Sequence, residues 1–169
     1  MRRSAYTLIE LVVVMLVVGI MAILAGVAIN GAMRNIQLSG AAKKIASDIR
    51  FAQSMASSYY KWYGIRFSST AEATQYSVFS LTGTVETIIA DPANANRSMI
   101  VNLSTTYPGV TIPSVNIAGG NTVFFNPAGT PYNAKNGTAL ASEGVITLSN
   151  GSATKTVRIA PSTGRVFIQ

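Results

Sequence analysis

Thiolate chemistry needs cysteine, and most general acid–base and metal chemistry draws on histidine or closely set carboxylates. This chain of 169 residues has no Cys and no His, and its six acids (Glu10, Asp48, Glu72, Glu86, Asp91 and Glu143) are scattered, with no close pair. Disulfides and thiolate metal sites are thereby excluded, the commonest general base is missing, no cofactor is expected, and the chain does not read as an enzyme. The acid that stands out is Glu10. It sits at the lip of an apolar stretch, Tyr6 to Ile29 (YTLIELVVVMLVVGIMAILAGVAI), after which no charge appears until Arg34. A carboxylate at the centre of a membrane helix costs about 2.5–3.5 kcal/mol on insertion scales, and less toward the interface, so Glu10 calls for a partner or a reason.

Two readings of Glu10 stand side by side. In one, the acid snorkels at headgroup level, helped by the positive end of its own helix. In the other it meets a positive charge from a second copy of the chain. A free amine created by cutting just before Tyr6 lies about one helical turn from its own Glu10, and so reaches a neighbour's carboxylate if the helices stagger. Elsewhere, Lys155, Arg158 and Arg165 are cations that a closing meander would bring to one surface, where they would meet phosphates. The net charge of +7 becomes +5 in side chains once Arg2 and Arg3 are removed, which suits a solvated surface or an anionic partner.

The elements that position these residues follow from periodicity. From Leu11 to Met33 run 23 residues without charge, enough as a helix to cross a bilayer. A secretory signal peptide, with Arg2 and Arg3 as its basic region and Gly26-Val27-Ala28 as its cleavage site, is the first alternative, but the run is too long for one. The helical pattern also continues. Leu38, Ala42, Ile45, Ile49, Ala52, Ala56 and Tyr59 recur at steps of three and four, with Lys43, Lys44, Ser47, Asp48, Arg50 and Gln53 between them. One helix is therefore expected from about Tyr6 to Tyr59, its first half crossing a membrane and its second packing on a domain. Charge counting is nearly silent on orientation, because Arg2 and Arg3 are balanced by Arg34, Lys43 and Lys44.

After Trp62 the period changes to two. Strands are expected at Tyr63–Phe67, Tyr76–Leu81, Thr84–Ile89, Met99–Leu103, Thr122–Phe125, Val145–Ser149, Thr156–Ala160 and Arg165–Ile168, joined as antiparallel hairpins by Gly-, Asn- and Pro-containing turns. Asp91–Arg97 and Pro127–Ser142 read as mobile loops. Tyr59, Tyr60, Trp62 and Tyr63 read as an aromatic cluster packed where helix gives way to sheet. The Asn-x-Ser/Thr triplets at Asn96, Asn102, Asn136 and Asn150 read as chance in a chain rich in these residues. The fold class is α+β, with the boundaries 1–5 leader, 6–33 transmembrane half of the helix, 34–60 amphipathic half, and 61–169 antiparallel β domain.

A short basic leader, a small residue, an aromatic, then Thr7-Leu8-Ile9-Glu10-Leu11 and a long apolar helix together resemble the N-terminus of type IV pilins and type II secretion pseudopilins. The resemblance implies that a prepilin peptidase cuts between Ala5 and Tyr6 and methylates the new terminus, that Glu10 is the assembly glutamate, and that the fold is pilin-like. In this family the residue before the cut is usually Gly; here it is Ala5. Two further stretches are similar to the pseudopilin H and FimT branch. One is Ser47–Ala56 (SDIRFAQSMA), where Gln53 replaces a usual Arg, and the other is Thr156–Ile168 (TVRIAPSTGRVFI), a closing hairpin.

The resemblance implies a minor pseudopilin or pilin, single-pass in the bacterial inner membrane with its C-terminal domain periplasmic or outside. Its partners would be other pilins or pseudopilins, the peptidase, and a secreted cargo. An alternative is a DNA-binding minor pilin using Lys155, Arg158 and Arg165, although Gly164-Arg165-Val166-Phe167 lacks the second basic residue of that branch's Gly-Arg-x-Arg. A passive membrane-anchored β domain is the third reading.

Overall fold

The 3.6-residue period is realised as one helix, α1 (Leu8–Tyr59). The structure, a computed structural model, describes residues 7–68 and 74–169, and within α1 the side chains of residues 24–29 lie outside the description. Two units are distinguished, Met1–Ile36 and Gln37–Gln169. In the first, the described apolar side chains of α1 are open, from Leu8 at 83% exposed to Val17 at 47%. Among the described residues no helix is long and apolar enough to cross a membrane. The uncharged run from Leu11 to Met33 includes residues 24–29, whose side chains lie outside the description.

In the second unit the helix has a buried face. Leu38, Ala42, Ile45, Ile49, Ala52 and Ala56 are almost completely enclosed, joined by Ala41 and Ala46. Each enclosed Leu or Ile contributes about 1.5–3 kcal/mol, which decides the face that turns inward. The stripe stops short of Tyr59, which is 61% exposed. The helix ends there because Tyr60 adopts φ 52, and the Lys61 N–H donates back to Ala56 O at 3.2 Å.

The rest of the chain runs β1 (Trp62–Phe67), β2 (Gln75–Thr82), β3 (Val85–Ile88), β4 (Ala90–Asp91), β5 (Asn94–Ser98), β6 (Ile100–Asn102), a single turn α2 (Leu103–Thr106), β7 (Thr111–Asn116), β8 (Thr122–Phe125), β9 (Pro131–Tyr132), β10 (Gly144–Ser149), β11 (Thr154–Ile159) and β12 (Val166–Ile168). One sheet has the order β3-β2-β1-β8-β9, with β6 also on β2; a second has the order β12-β11-β10-β7; and β4-β5 form a small hairpin. Among the described residues the strands of all three sheets pair antiparallel, as the short connections require. One core joins the inner face of α1 to Ile65, Phe67, Tyr76 and Val78 of the first sheet and to Ile146, Leu148, Val157 and Ile159 of the second.

Three expectations are corrected. The Asp91–Arg97 and Pro127–Ser142 stretches contain paired strands, the β4-β5 hairpin and β9, although their Asn- and Ala-rich composition gives little β signal. β7 goes unforeseen because of Pro113; it is an edge strand, where a missing N–H breaks no ladder. The aromatic cluster does not form as one group. Successive strand residues face opposite ways, so Tyr63 enters the core while Trp62 turns to the other face of the sheet and meets Tyr132 edge-on at 5.2 Å.

That outer face carries its own small apolar cluster of Phe79, Leu81 and Phe124, flanked by Trp62 and Tyr132. Gly64 lies in register between Phe79 and Phe124, and their rings pack edge to face at 5.7 Å across it. A Cβ at this position would come within 2.5 Å of Phe79 Cζ, so only glycine leaves room for the rings.

Because most of the exposed large apolar side chains among the described residues precede Gln37 and the core follows it, removal of residues 1–37 is expected to leave a soluble, monomeric domain. Gel filtration with light scattering checks this. Persistent aggregation would mean that the β unit itself exposes an association surface.

Candidate functional site

At the start of α1, Thr7 caps the helix. Its Oγ1 accepts from the Glu10 N–H at 3.4 Å, and its carbonyl accepts from the Leu11 N–H at 3.3 Å. Thr7-x-x-Glu10 has the spacing of a capping box, a sequence signal that the membrane argument overlooks. Glu10 therefore has a local role as the first-turn acid at the positive end of α1. Its side chain is nonetheless exposed, among Leu8, Ile9 and Leu11 at 83%, 72% and 54% exposure, and is open to a second chain. Ala5 and Tyr6, the expected cleavage and methylation positions, lie outside the described residues.

The second constellation sits on the amphipathic half of α1, and sequence reasoning had no role for most of it. Asp48 is 4% exposed. Lys44 Nζ, one helical turn earlier, donates to both its oxygens at 2.8 and 2.9 Å, and the Tyr76 hydroxyl from β2 donates to Oδ2 at 2.6 Å. Burial, together with the neighbouring Asp48 carboxylate and that hydrogen bond, pushes the Tyr76 phenol far above its ordinary range. The Tyr63 phenol is also raised, by burial and by Tyr59.

Further along, Arg50 Nη2 donates to Val166 O at 2.7 Å, and Gln53 Nε2 donates to Gly129 O at 2.8 Å and Thr163 O at 2.9 Å. The stretch from Ser47 to Ala56 thus holds the hairpin from Thr156 to Ile168: the two segments that carry the branch resemblance are bonded to each other. Gly164, at φ 66, is part of the fit, because a Cβ there would lie 2.5 Å from Gln53 Nε2.

The cations proposed for phosphate binding are not gathered on one surface. Lys155 pairs with Leu148 and so lies on the inner-facing side of β11. Arg158, three residues on, occupies the opposite side, opposite Val145 and Phe167. Its Nη1 is engaged by Glu143 Oε2 at 2.8 Å, and its Nε is enclosed without a partner. Arg165 is exposed just before β12. Among the described residues no group of three or more acids could hold a metal ion.

Comparison with known proteins agrees with this architecture. The type II transport protein GspH family matches residues 41–163, which hold the Asp48–Arg50–Gln53 stretch and most of the sheets, and the prokaryotic N-terminal methylation motif matches residues 1–26. No curated protein sequence matches. Among solved structures, the chain is similar to the type IV minor pilin FimU of Pseudomonas aeruginosa strain PAO1 in two crystal forms. One has a TM-score of 0.52 at 15% identity, over 78% of this chain and 92% of that one. The other has a TM-score of 0.49 at 17% identity, over 80% and 88%. At such identity the first likeness speaks for the fold, a long N-terminal helix packed on antiparallel sheets. With the greater part of its length matched by one family and its N-terminus by the methylation motif, the chain belongs to the type II transport protein GspH family, as a pseudopilin or pilin subunit with a structural role.

Proposed function

We propose that this subunit is cut between Ala5 and Tyr6 by a prepilin peptidase, methylated at Tyr6, and held in the bacterial inner membrane by a single pass of α1 until that helix joins a bundle of similar helices. The β domain then lies on the periplasmic or outer side, at the filament surface, where it meets neighbouring subunits or a secreted cargo. The observation that supports this is the contrast along α1. From Leu38 to Ala56 one face of the helix is enclosed by its own domain, whereas the large apolar side chains from Leu8 to Ile23 are exposed along the chain's own surface. Such a surface needs lipid or other helices around it.

Intact-mass measurement on protein extracted from membranes of cells containing the peptidase tests the first step. The expected mature chain begins at a methylated Tyr6, and Ala5→Gly is cut at least as well as the parent. A terminus at Met1 or Arg2 would reduce the protein to a passive anchor.

A further inference from the structure

The chain contains three Asn-Gly dipeptides, Asn30-Gly31, Asn136-Gly137 and Asn150-Gly151. They are chemically alike in sequence and held very differently in the fold. Asn30 is inside α1. Asn150 is 8% exposed; its Oδ1 accepts from the Ser152 N–H at 3.0 Å and the Ala153 N–H at 2.8 Å, while the following Gly151 N–H donates to Ser149 Oγ at 3.1 Å. Asn136 is exposed, has φ 59 in a turn, and its side-chain amide makes no hydrogen bond among the described residues. The contact holding its neighbour is one turn bond, from the Gly137 N–H to Ala134 O at 3.1 Å.

The geometry points to Asn136 as a site of spontaneous, water-consuming modification: deamidation through a cyclic imide. The Gly137 backbone nitrogen attacks Asn136 Cγ and forms a new N–C bond. The Cγ–Nδ2 bond breaks, and the proton from the Gly137 nitrogen leaves with Nδ2 as ammonia. Water then adds to either imide carbonyl and opens the ring to an aspartyl or isoaspartyl residue, so no oxidant or reductant takes part. Glycine in the second position places no side chain in the path of attack and lets the backbone reach the required conformation. In α1 the same attack demands that helical turns open. At Asn150 it demands that a nearly buried side chain give up two backbone donors, each bond adding to the barrier.

The product places a carboxylate next to Lys135, in a loop that carries none. The loop is closed at its base by the Tyr132–Ala139 bridge and by the Leu140 N–H to Pro131 O bond at 3.0 Å, so β9 and the core stay as they are. The modification therefore changes surface charge without changing the fold, and it accumulates with the age of the subunit.

The test is incubation of the full-length chain, solubilised in detergent at mildly alkaline pH, with sampling over time by peptide mass spectrometry that separates aspartyl from isoaspartyl products. A parallel sample in denaturant gives the rate of each site without the fold. Asn136 is expected to convert about tenfold or more faster than Asn30 and Asn150 in the folded protein, with the three rates drawing together in denaturant. Asn136→Gln should abolish the signal from that peptide alone. An Asn136 that converts no faster than the other two in the folded chain, or that stays intact over the time in which it converts in denaturant, overturns the assignment.

Discussion

Glu10→Ala is expected to leave cleavage and membrane insertion intact and to remove the subunit from the filament fraction. In a helix bundle the Glu10 carboxylate and the amine of an adjoining Tyr6 would be poorly solvated, and loss of one partner of such a pair costs about 3–5 kcal/mol, against almost nothing for an exposed pair. Glu10 also stands at the third position of the cap that Thr7 forms, so the alanine variant alone mixes two effects. Glu10→Gln separates them. Glutamine serves a capping box nearly as well as glutamate but carries no charge. Both variants are therefore expected to be missing from sheared or sedimented filaments while present, correctly cut, in membranes. Assembly of Glu10→Gln at the parental level, with Glu10→Ala impaired, would assign the residue to the helix start. Normal assembly of both would leave it as an acid at headgroup level.

Asp48→Ala is expected to cost about 3 kcal/mol in the domain from Leu38 onward, because it strips an acceptor from the buried Tyr76 hydroxyl and a partner from Lys44. For a domain of this size that lowers the thermal midpoint by about 10 °C. Lys44→Ala should cost about 1 kcal/mol or less, since the lysine side chain is 39% exposed and water replaces much of its bond. Tyr76→Phe combined with Asp48→Ala should be less damaging than the sum of the two, as both ends of the bond are then gone. The pH dependence has a definite sign. The phenol of Tyr76 is raised in the folded state above the ordinary value of about 10, so its contribution is complete below that pH. Above it the unfolded chain sheds a proton that the folded chain retains, and stability falls as pH rises. Thermal midpoints measured on either side of pH ~10 should show this fall, flattened in Tyr76→Phe. Equal losses in Asp48→Ala and Lys44→Ala would show that the phenol bond carries none of the stability.

The helix was legible because an uncharged run of 23 residues continues into an apolar stripe at a 3.6-residue period, and Ile45 and Ile49 fall on the enclosed face that this period assigns them. The longer strands were legible for the same reason at period two. What the residues hid was set by pairing that composition does not announce. Pro113 argues against a strand until it is known to be at an edge, and Asn94–Ser98 has no β-forming composition to announce its hairpin. At the sites, Glu10 was conspicuous because a lone carboxylate in apolar sequence is costly, whereas Asp48 looked like any acid on a solvated face. Its partner Tyr76 is 28 positions away, and only the fold brings the two together. That Lys155 and Arg158 take opposite sides of β11 follows from register, since three steps along a strand reverse the side, and composition does not carry register.

The grip of Arg50 and Gln53 on the closing hairpin is made to the carbonyl oxygens of Thr163 and Val166, with Gly129 of the turn between β8 and β9 held the same way, and every residue type supplies a carbonyl. The dock itself therefore asks for no particular side chain except at Gly164, whose bare Cα admits Gln53; the turn's own backbone constrains Ser162, at φ 64, and Thr163, whose Oγ1 accepts from the Arg165 N–H, and leaves the exposed Arg165 side chain to vary. A lineage can redraw that turn without unfastening it from the helix. The same tolerance makes Arg165 an address at which a fluorophore or affinity tag can be carried on each subunit while the hold on the main chain stays as it was.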